Sequence, residues 1–477
     1  MAPTRTHHRR AWLGGSLLLI LAAVLPGCSE NKAPAGAAPT GAAPTGAAPT
    51  GTGSAAAPAA AAPASPETIK APAPAVPNAA DAKKFAGAKI TFYGDSVGIA
   101  AALDKTMAQK FTADTGVVVN VVPRPKDATE TYATYQRLFQ AQSADVDALM
   151  VDVIWPGAFG QHLVDLGPKL GEAAKQHVEN IVKNNTVDGK LVAMPWFTDF
   201  GMLYYRADLL KKHGFEKPPE TWDELEQMAK KIMDAEKPAN ASFTGYVWQG
   251  KAYEGLTCNA LEWVYSHGGG TIVEGGKPTV NNPQAAKALA RAKGWVGTIS
   301  PAGVTGYEEE DARNAFQGGN AVFMRNWPYA YAAGNDEKSP IKGKFDVAPL
   351  PHEPGQKSAG TVGGWQIGVS KYSKNQDAAI EFVRYMTSPE ALKYRALVGS
   401  YIPTIPSVQS DPEVVKALPF LAKLKDVTLV TRPSNTTGAR YNEASIAFFQ
   451  GVSQALQGTD PATALQQTEQ RLQRALR

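Results

Sequence analysis

An alternation of strand and helix patterns at residues 89–152 limits the folds open to this chain more than any other feature. Apolar runs of strand length at residues 89–93, 116–122 and 147–152 are separated by two segments with a helical pattern. The middle run is β-branched and almost continuously apolar, which is typical of a buried strand in a parallel sheet. This β-α-β-α-β series predicts an open α/β sheet whose ligands bind at the carboxyl ends of the strands.

Polar residues stand at those carboxyl ends. Asp95 and Ser96 lie in the loop after the first predicted strand, and Asp152 ends the third. We therefore expect these side chains near a ligand. The same loop contains Gly94 and Gly98, but it lacks both the Gly-Lys-Ser/Thr of a P-loop and the third glycine of a dinucleotide fingerprint. The pattern therefore argues against a nucleotide cofactor.

Residues 194–210, MPWFTDFGMLYYRADLL, read as a crossing between two lobes. Phe197 and Asp199 precede Gly201, and an apolar, aromatic strand follows. An aromatic face packs on the C–H bonds of a polyhydroxylated ring, while a carboxylate accepts hydrogen bonds from its hydroxyls. Taken alone, the stretch favours a simpler interpretation, in which core aromatics are followed by an Asp that caps the next element.

The N-terminus predicts export and lipidation. Basic residues at 7–10 precede an apolar run at 13–24 that is short for a bilayer span, and Leu-Pro-Gly-Cys ends at Cys28. Residues 1–28 thus resemble a bacterial lipoprotein signal, with Cys28 as the acylated residue. An ordinary cleaved signal with an incidental cysteine is the alternative. Residues 29–85, where Ala, Pro, Gly and Thr predominate at first, are expected to form a disordered tether.

Composition argues against several classes of function. A net charge of +4 over 477 residues, with 19% charged residues, gives no basic stripe for nucleic acid. The seven histidines form no metal-like cluster in the predicted cleft segments, so we expect no metal and no cofactor. Only Cys28 and Cys258 are cysteines, so a lipidated Cys28 would leave no intrachain disulfide.

Two further segments offer aromatic side chains. The apolar strand predicted at residues 320–324 leads to Trp327 and Tyr329, and Pro328 between them favours a turn. Farther along, two glycines precede Trp365, and glycines allow the backbone to approach a ligand closely.

Seven segments together resemble one known family. They are LMVDVIW at 149–155, the crossing at 194–206, PPETW at 218–222, GYVWQGKAYEGL at 245–256, RNWPYA at 325–330, VAPLPH at 347–352 and GGW at 363–365. In this order and spacing they resemble the ABC-transporter solute-binding proteins of extracellular family 1, and most of all the trehalose/maltose-binding proteins. The resemblance covers nearly everything after residue 88.

The resemblance implies an α/β fold of the type II periplasmic-binding-protein kind, in which hinge crossings join two lobes around a ligand cleft. Lobe one is expected at residues 86–198 and 345–400, and lobe two at residues 199–344 and 401–477. The ligand-binding residues that it implies, beside the strand-end Asp95 and Ser96, are Asp152, Trp155, Phe197, Asp199, Trp327, Tyr329, Gly364, Trp365 and Arg432.

The chain departs from these relatives at three places. Ile99, Ala100 and Ala101 stand where the relatives carry an acid at the start of the first helix, so Asp95 is the candidate to replace it. Phe197 stands where they carry a tyrosine, and the loop at 125–132 lacks the arginine pattern of some of them. These departures allow a bound sugar other than trehalose.

The expected function is that of a lipid-anchored, monomeric sugar-binding protein in the cell envelope, facing the periplasm or the cell exterior. A disaccharide such as trehalose or maltose would be its ligand, and an ABC permease and ATPase would be its partners. Another sugar or small solute on the same fold is the alternative. A less favoured alternative is a glycoside hydrolase that uses Asp152 and Asp199. It is less favoured because both carboxylates are expected on one side of the sugar ring.

Overall fold

The computed structural model of the protein describes residues 69–77 and 79–477. The predicted signal peptide with Cys28, and the predicted tether as far as residue 68, lie outside these residues. In the part of the chain that is described, no helix combines the length and the apolar character needed to cross a membrane.

The strands of the described residues vary in length, from two residues in β4 to eleven in β13. In chain order they are β1 (Lys89–Gly94), β2 (Val118–Pro123), β3 (Ala148–Asp152), β4 (Thr186–Val187), β5 (Lys190–Leu191), β6 (Met194–Phe200), β7 (Met202–Tyr205), β8 (Thr244–Val247), β9 (Val273–Glu274), β10 (Lys277–Pro278), β11 (Ala321–Asn326), β12 (Asp346–Ala348), β13 (Ala359–Val369), β14 (Ile402–Pro403) and β15 (Thr428–Val430).

The α-helices fill the segments between them. They are α1 (Ala79–Lys83), α2 (Ala100–Thr115), α3 (Ala128–Gln140), α4 (Pro156–Phe159), α5 (Gly167–Ala174), α6 (Glu179–Asn184), α7 (Ala207–Lys212), α8 (Trp222–Glu236), α9 (Glu254–Ser266), α10 (Pro283–Trp295), α11 (Glu309–Gln317), α12 (Tyr329–Gly334), α13 (Gln376–Met386), α14 (Pro389–Gly399), α15 (Pro406–Gln409), α16 (Pro412–Ala417), α17 (Phe420–Lys423), α18 (Ser434–Thr437), α19 (Tyr441–Leu456) and α20 (Pro461–Ala475). Short 3₁₀ turns lie at Gly160–His162, Ala302–Gly306 and Gly438–Arg440.

Lobe one is built on a mixed sheet with the strand order β14-β6-β13-β3-β1-β2, and β15 pairs with β13. β1 is parallel to both β2 and β3, which confirms the parallel pairing expected from the β-α-β-α-β pattern. The long β13 runs antiparallel between β3 and β6, so Trp365 lies opposite Asp152 on one side and Phe197 on the other. Three residues from distant parts of the chain therefore become neighbours at one edge of this sheet.

Lobe two is built on a four-stranded sheet in the order β12-β7-β11-β8. Its core contains Trp248, Trp263 and Trp295. The ring centroid of Trp263 lies 4.9 Å from that of Trp248 and 5.6 Å from that of Trp295. Thr221 and Glu224 form a capping box at the start of α8, whose apolar face is buried. Buried side chains of α19 and α20 join the same core.

The main crossing lies where the sequence predicts it. β6 ends at Phe200 in the sheet of lobe one, and β7 begins at Met202 in the sheet of lobe two. Gly201 between them has no room for a side chain, because a Cβ there would lie 1.9 Å from Glu262 Oε1. Glycine therefore allows the chain to pass over the buried ion pair of Glu262 with Arg325.

Some observed boundaries differ from those expected for the lobes. β12 pairs with β7, so Asp346–Ala348 belongs to the sheet of lobe two. β14 pairs with β6, so Ile402–Pro403 belongs to the sheet of lobe one. Sequence periodicity identifies a strand but not its partner, and pairing decides to which lobe it belongs.

Residues 69–77, which we call the N-terminal strap, also differ from the expected tether. The Tyr394 and Tyr385 hydroxyls donate to the carbonyls of Ala71 and Pro74, over 2.7 Å and 3.0 Å. Val76 is buried and donates its N–H to Asp114 Oδ2 over 3.1 Å. The folded part therefore begins before residue 86, because backbone groups of the strap and the Val76 side chain find partners on lobe one.

Candidate ligand-binding site

A cavity of about 650 Å³, including space open to solvent, lies between residues of the two lobes. Nine of the predicted site residues line it: Asp95, Asp152, Phe197, Asp199, Trp327, Tyr329, Gly364, Trp365 and Arg432. Lobe one supplies most of them from strand ends, as expected for an α/β sheet, and lobe two supplies Trp327 and Tyr329.

Two predicted site residues do not line this cavity. Ser96 instead donates its backbone N–H to Asp95 Oδ1 over 2.8 Å. Trp155 is buried, and its ring meets Trp365 edge to face at a centroid distance of 5.3 Å. Both residues therefore support a neighbour that lines the cavity.

Arg124 neutralises Asp95 and also packs on a predicted site residue. Its Nη2 donates to Asp95 Oδ1 over 3.1 Å, and both side chains are only 4% exposed. The guanidinium carbon lies 4.1 Å from the ring centroid of Trp365. Arg124 thus holds one face of the Trp365 indole by a cation–π contact.

Arg432 joins two buried carboxylates that come from different lobes. It donates to Asp152 Oδ1 over 3.0 Å from Nη2 and to Glu254 Oε1 over 2.9 Å from Nη1. Glu254 also accepts hydrogen bonds from Tyr441 and Ser445, over 2.5 Å and 2.7 Å. Burial raises the pKa of Glu254, whereas the charge of Arg432 opposes that rise.

Among the described residues, Asp199 presents an acceptor without a protein partner to the cavity, which the unpartnered Tyr401 hydroxyl also lines. No donor in this part of the chain reaches the buried Oδ1 atom of Asp199. Burial, and then the nearby charge of Asp95, raises the pKa of this carboxyl well above its ordinary value, although Arg325 and Arg395 act in the opposite direction. A ligand hydroxyl that donates to Oδ1 would supply the missing hydrogen bond.

Lobe two presents Trp327 on a charged support. The Arg325 guanidinium lies 3.9 Å from the ring centroid of Trp327, and the indole N–H donates to Glu309 Oε1 over 3.3 Å. The Tyr253 hydroxyl donates to the other Glu309 oxygen over 2.6 Å. Burial raises the pKa of Glu309. The Tyr329 hydroxyl takes no part in these contacts, because it donates its hydrogen bond to Glu310.

Tyr329 and Phe197 present mainly ring surface to the cavity. The Tyr329 hydroxyl donates to Glu310 Oε1 over 2.7 Å. Phe197 is 2% exposed and meets the Tyr401 ring at a centroid distance of 4.8 Å. Neither residue therefore offers a free polar group, and their contribution is shape and apolar contact.

The packing of two strands of the sheet requires a glycine at position 364, whether or not a ligand also approaches it. Its φ of +113° lies in a region that L side chains rarely adopt. A Cβ there would lie 2.5 Å from the carbonyl oxygen of Phe197 and 2.8 Å from the Cα of Thr198. The expected close approach of backbone is thus observed between β13 and β6.

Several cavity residues were not singled out from the sequence. They are Val97, Arg124, Lys126, Ala128, Tyr253, Glu254, Gly255, Cys258, Glu309, Gly363 and Tyr401. Arg124 directly follows β2, so a systematic search of strand ends would have found it. Tyr253 and Glu254 stand within the resemblance segment at 245–256, which was used for the family and not for the site. Within residues 69–77 and 79–477, no cluster of three or more His, Cys, Asp or Glu side chains is arranged to hold a metal ion.

Comparison with known proteins identifies the family. A family model described as bacterial extracellular solute-binding protein matches residues 93–393. The chain belongs to this family. This solute-binding protein is 51% identical over 390 residues to a probable ABC transporter-binding protein of Deinococcus radiodurans, and the match covers 81% of this chain and 93% of that protein.

Two further proteins of this kind are similar in structure or sequence. Maltose-bound MalE3 of T. maritima superposes with a TM-score of 0.76 at 38% identity, over 81% of this chain and 99% of the other. The maltodextrin-binding protein MdxE of Bacillus subtilis is 27% identical over 237 residues, which cover 48% of this chain and 53% of that protein. The resemblance found in the motifs and the two-lobed α/β fold are both confirmed.

The family defines the general role of the chain. It is an extracellular solute-binding protein of an ABC transporter, and proteins of this family bind substrates without converting them. Its neighbours include proteins that bind sugars.

Proposed function

We propose that this protein is the sugar-binding component of a carbohydrate ABC importer, and that it binds a disaccharide such as trehalose or maltose. One observation carries the proposal. Two tryptophans from different lobes, Trp327 and Trp365, line the same cavity as Asp199, whose buried Oδ1 has no hydrogen-bond partner among the described residues. Ring faces and a free acceptor are what a polyhydroxylated ring requires.

The residues have separate roles in this proposal. Trp327 and Trp365 pack on the C–H faces of the sugar, and each contributes roughly 1 kcal/mol beyond the burial of its area. Asp199 accepts hydroxyl hydrogen bonds, which contribute about 0.5 to 1.5 kcal/mol each. Arg432 holds Asp152 in place, and Phe197 and Tyr329 exclude water from the ring edges.

Binding does not change the covalent structure of the sugar. A sugar that touches both lobes stabilises their closed arrangement by its higher affinity for that state. The closed surface is then recognised by the permease, whose ATPase drives transport. In this proposal the protein acts as a monomer, and lipid on Cys28 anchors it to the cell envelope on the periplasmic or outer side.

The test is a thermal-shift screen of the purified protein against mono-, di- and trisaccharides, followed by calorimetry on each hit. A ligand at a concentration of 100 times its dissociation constant raises the free energy of unfolding by about 2.7 kcal/mol. The melting temperature of the protein therefore rises visibly. A shift with trehalose or maltose supports the proposal. A shift only with other sugars or with polyamines, metals or peptides contradicts the disaccharide assignment.

The same samples test the hydrolase alternative. The protein is incubated with maltose and with trehalose for a day, and released glucose is measured by chromatography. Intact disaccharide is the expected result. Glucose that appears in proportion to protein concentration, and that an Asp199→Asn variant no longer releases, would contradict a purely binding function.

A further inference from the structure

Lys251 connects the two lobes beside the cavity. It lies in the loop between β8 and α9 of lobe two, and its Nζ is 3.0 Å from Asp127 Oδ2 of lobe one. The same ammonium also pairs with Glu308 of lobe two. None of these three residues lines the cavity, which includes their neighbours Lys126, Ala128 and Glu309. Lys251 therefore lies at the rim, outside the proposed ligand contacts.

A second hydrogen bond joins the lobes at the same place. The backbone N–H of Glu254, at the start of α9, donates to Thr129 Oγ1 in the first turn of α3 over 3.2 Å. Asp127 is the N-cap of that helix and accepts from the N–H groups of Thr129 and Glu130 over 2.7 Å and 3.3 Å. The geometry of Asp127 is thus set by its own helix, so its carboxylate is presented to lobe two without further ordering.

These contacts exist only while the lobes are close together. The pair of Lys251 with Glu308 lies within lobe two and survives if the lobes separate, whereas the pair with Asp127 and the bond from Glu254 to Thr129 are lost. We propose that Lys251 and Asp127 form a clasp that stabilises the closed arrangement, so that Lys251 raises ligand affinity as a positioning residue without touching the ligand. This inference rests on the proposed closure around a sugar.

The clasp has a specific dependence on salt. The Lys251 side chain is 36% exposed, so the pair is open to screening, and the Debye length falls from about 10 Å at 0.1 M to about 3 Å at 1 M. The ion pair of Arg432 with Asp152, whose side chains are only 3% and 6% exposed, is screened much less. Affinity for an uncharged sugar should therefore fall with ionic strength, because closure and not ligand contact depends on an exposed charge pair.

The experiment compares full-length wild-type protein with Lys251→Met and Asp127→Asn. Asparagine retains the helix cap but removes the charge. Maltose is the probe, and calorimetry and stopped-flow dissociation are run at 20 mM and 1 M NaCl. At low salt each variant should bind roughly two- to five-fold more weakly and release maltose faster. At high salt the three proteins should converge, and the double variant should bind no more weakly than either single one.

Lys393→Met is the matched control. Lys393 also bridges two carboxylates, Asp411 at 2.8 Å and Glu413 at 2.5 Å, and its side chain is 32% exposed. Lys393 lies in α14, and Asp411 and Glu413 lie at the start of α16, which packs on α14, so this bridge does not span the cleft. The control should keep wild-type affinity and the wild-type salt dependence.

A ligand-free measurement separates failure of the clasp from failure of the proposed function. Fluorescent labels on cysteines introduced at Glu172 in lobe one and Asp234 in lobe two report the mean distance between lobes. At low salt Lys251→Met and Asp127→Asn should increase this distance, and Lys393→Met should not. Wild type that binds no sugar while the distance responds would overturn the disaccharide proposal and retain the clasp. Unchanged maltose affinity and unchanged distance in both variants would overturn the clasp.

Discussion

Arg432 donates to Asp152 Oδ1 over 3.0 Å, and both residues are only 5% exposed. Its other terminal nitrogen donates to Glu254, so one guanidinium compensates two buried carboxylates. The family resemblance assigned Arg432 to the sugar. In this geometry its terminal nitrogens are used within the protein, and its main effect is to compensate Asp152 and Glu254 and to hold both side chains in place.

Replacing Arg432 by methionine should lower the free energy of unfolding by about 3 to 5 kcal/mol, because two buried carboxylates lose their counter-charge. Burial already raises the pKa of Glu254. Without Arg432 this carboxyl takes up a proton more readily, so the loss should be smaller at pH 5 than at pH 8. Urea unfolding at both pH values measures this. Arg384→Met, which removes a partly exposed pair with Glu381, should cost less than 1 kcal/mol.

Asp199→Asn should stabilise the ligand-free protein while weakening binding. Because burial raises the pKa of Asp199 in the folded state, that state holds a proton more tightly than the unfolded chain, and stability falls as pH rises above the ordinary pKa. The neutral amide removes this loss. We expect a melting temperature higher by roughly 2 °C or more at pH 8, with a smaller difference at pH 4.

Calorimetry on the same Asp199→Asn protein should show a dissociation constant raised about tenfold or more, because an amide replaces the carboxyl group that meets the sugar hydroxyl. A variant that binds as wild type does would remove Asp199 from the site, even if its stability rises as expected.

Trp327→Ala should raise the dissociation constant for the bound sugar by about ten- to a hundredfold, because both stacking and apolar contact disappear. Trp327 is only partly buried, so the two lobes should still fold. Tyr265→Ala is the control, since Tyr265 is a partly buried aromatic of lobe two outside the cavity. Circular dichroism checks the fold of both variants, and equal loss of affinity in both would contradict a specific role for Trp327.

Gly364→Ala should destabilise lobe one by about 3 kcal/mol or more, since strain at φ +113° adds to a clash with the Phe197 carbonyl. Thermal unfolding measures the loss. Gly355→Ala separates the two causes, because Gly355 has φ +80° but open space around a Cβ. The Gly355→Ala control should lose only the part of the stability that backbone strain costs. An equal loss in both variants would show that the clash at residue 364 is relieved by a shift of β6.

Removal of the N-terminal strap should destabilise lobe one. A chain that begins at residue 79 lacks the hydrogen bonds to Tyr394, Tyr385 and Asp114 and the burial of Val76, which a chain that begins at residue 69 retains. We expect a loss of about 2 to 4 kcal/mol in urea unfolding. Equal stability of the two chains would mean that the strap contributes nothing net.

Much of the site could be predicted from the sequence, because local pattern determines where a strand ends. Asp95 and Asp152 were located by this rule, and Trp365 by the glycines before it. The crossing at Gly201 was found for the same reason, since an aromatic strand on each side of a glycine is a local signal.

The structure decided what the predicted residues do. Arg432 and Asp152 are separated by 280 positions, and no local pattern indicates that they pair. The same holds for Arg124 with Asp95, and for Lys251 with Asp127 across the cleft. Strand ends and helix starts follow from neighbours in the sequence, whereas charge compensation follows from which strands pair and which loops meet. The sequence alone thus determined part of the set of residues that reach the cleft. Only the tertiary structure decided which carboxylate there remains without a partner, because pairing of buried charges depends on three-dimensional proximity.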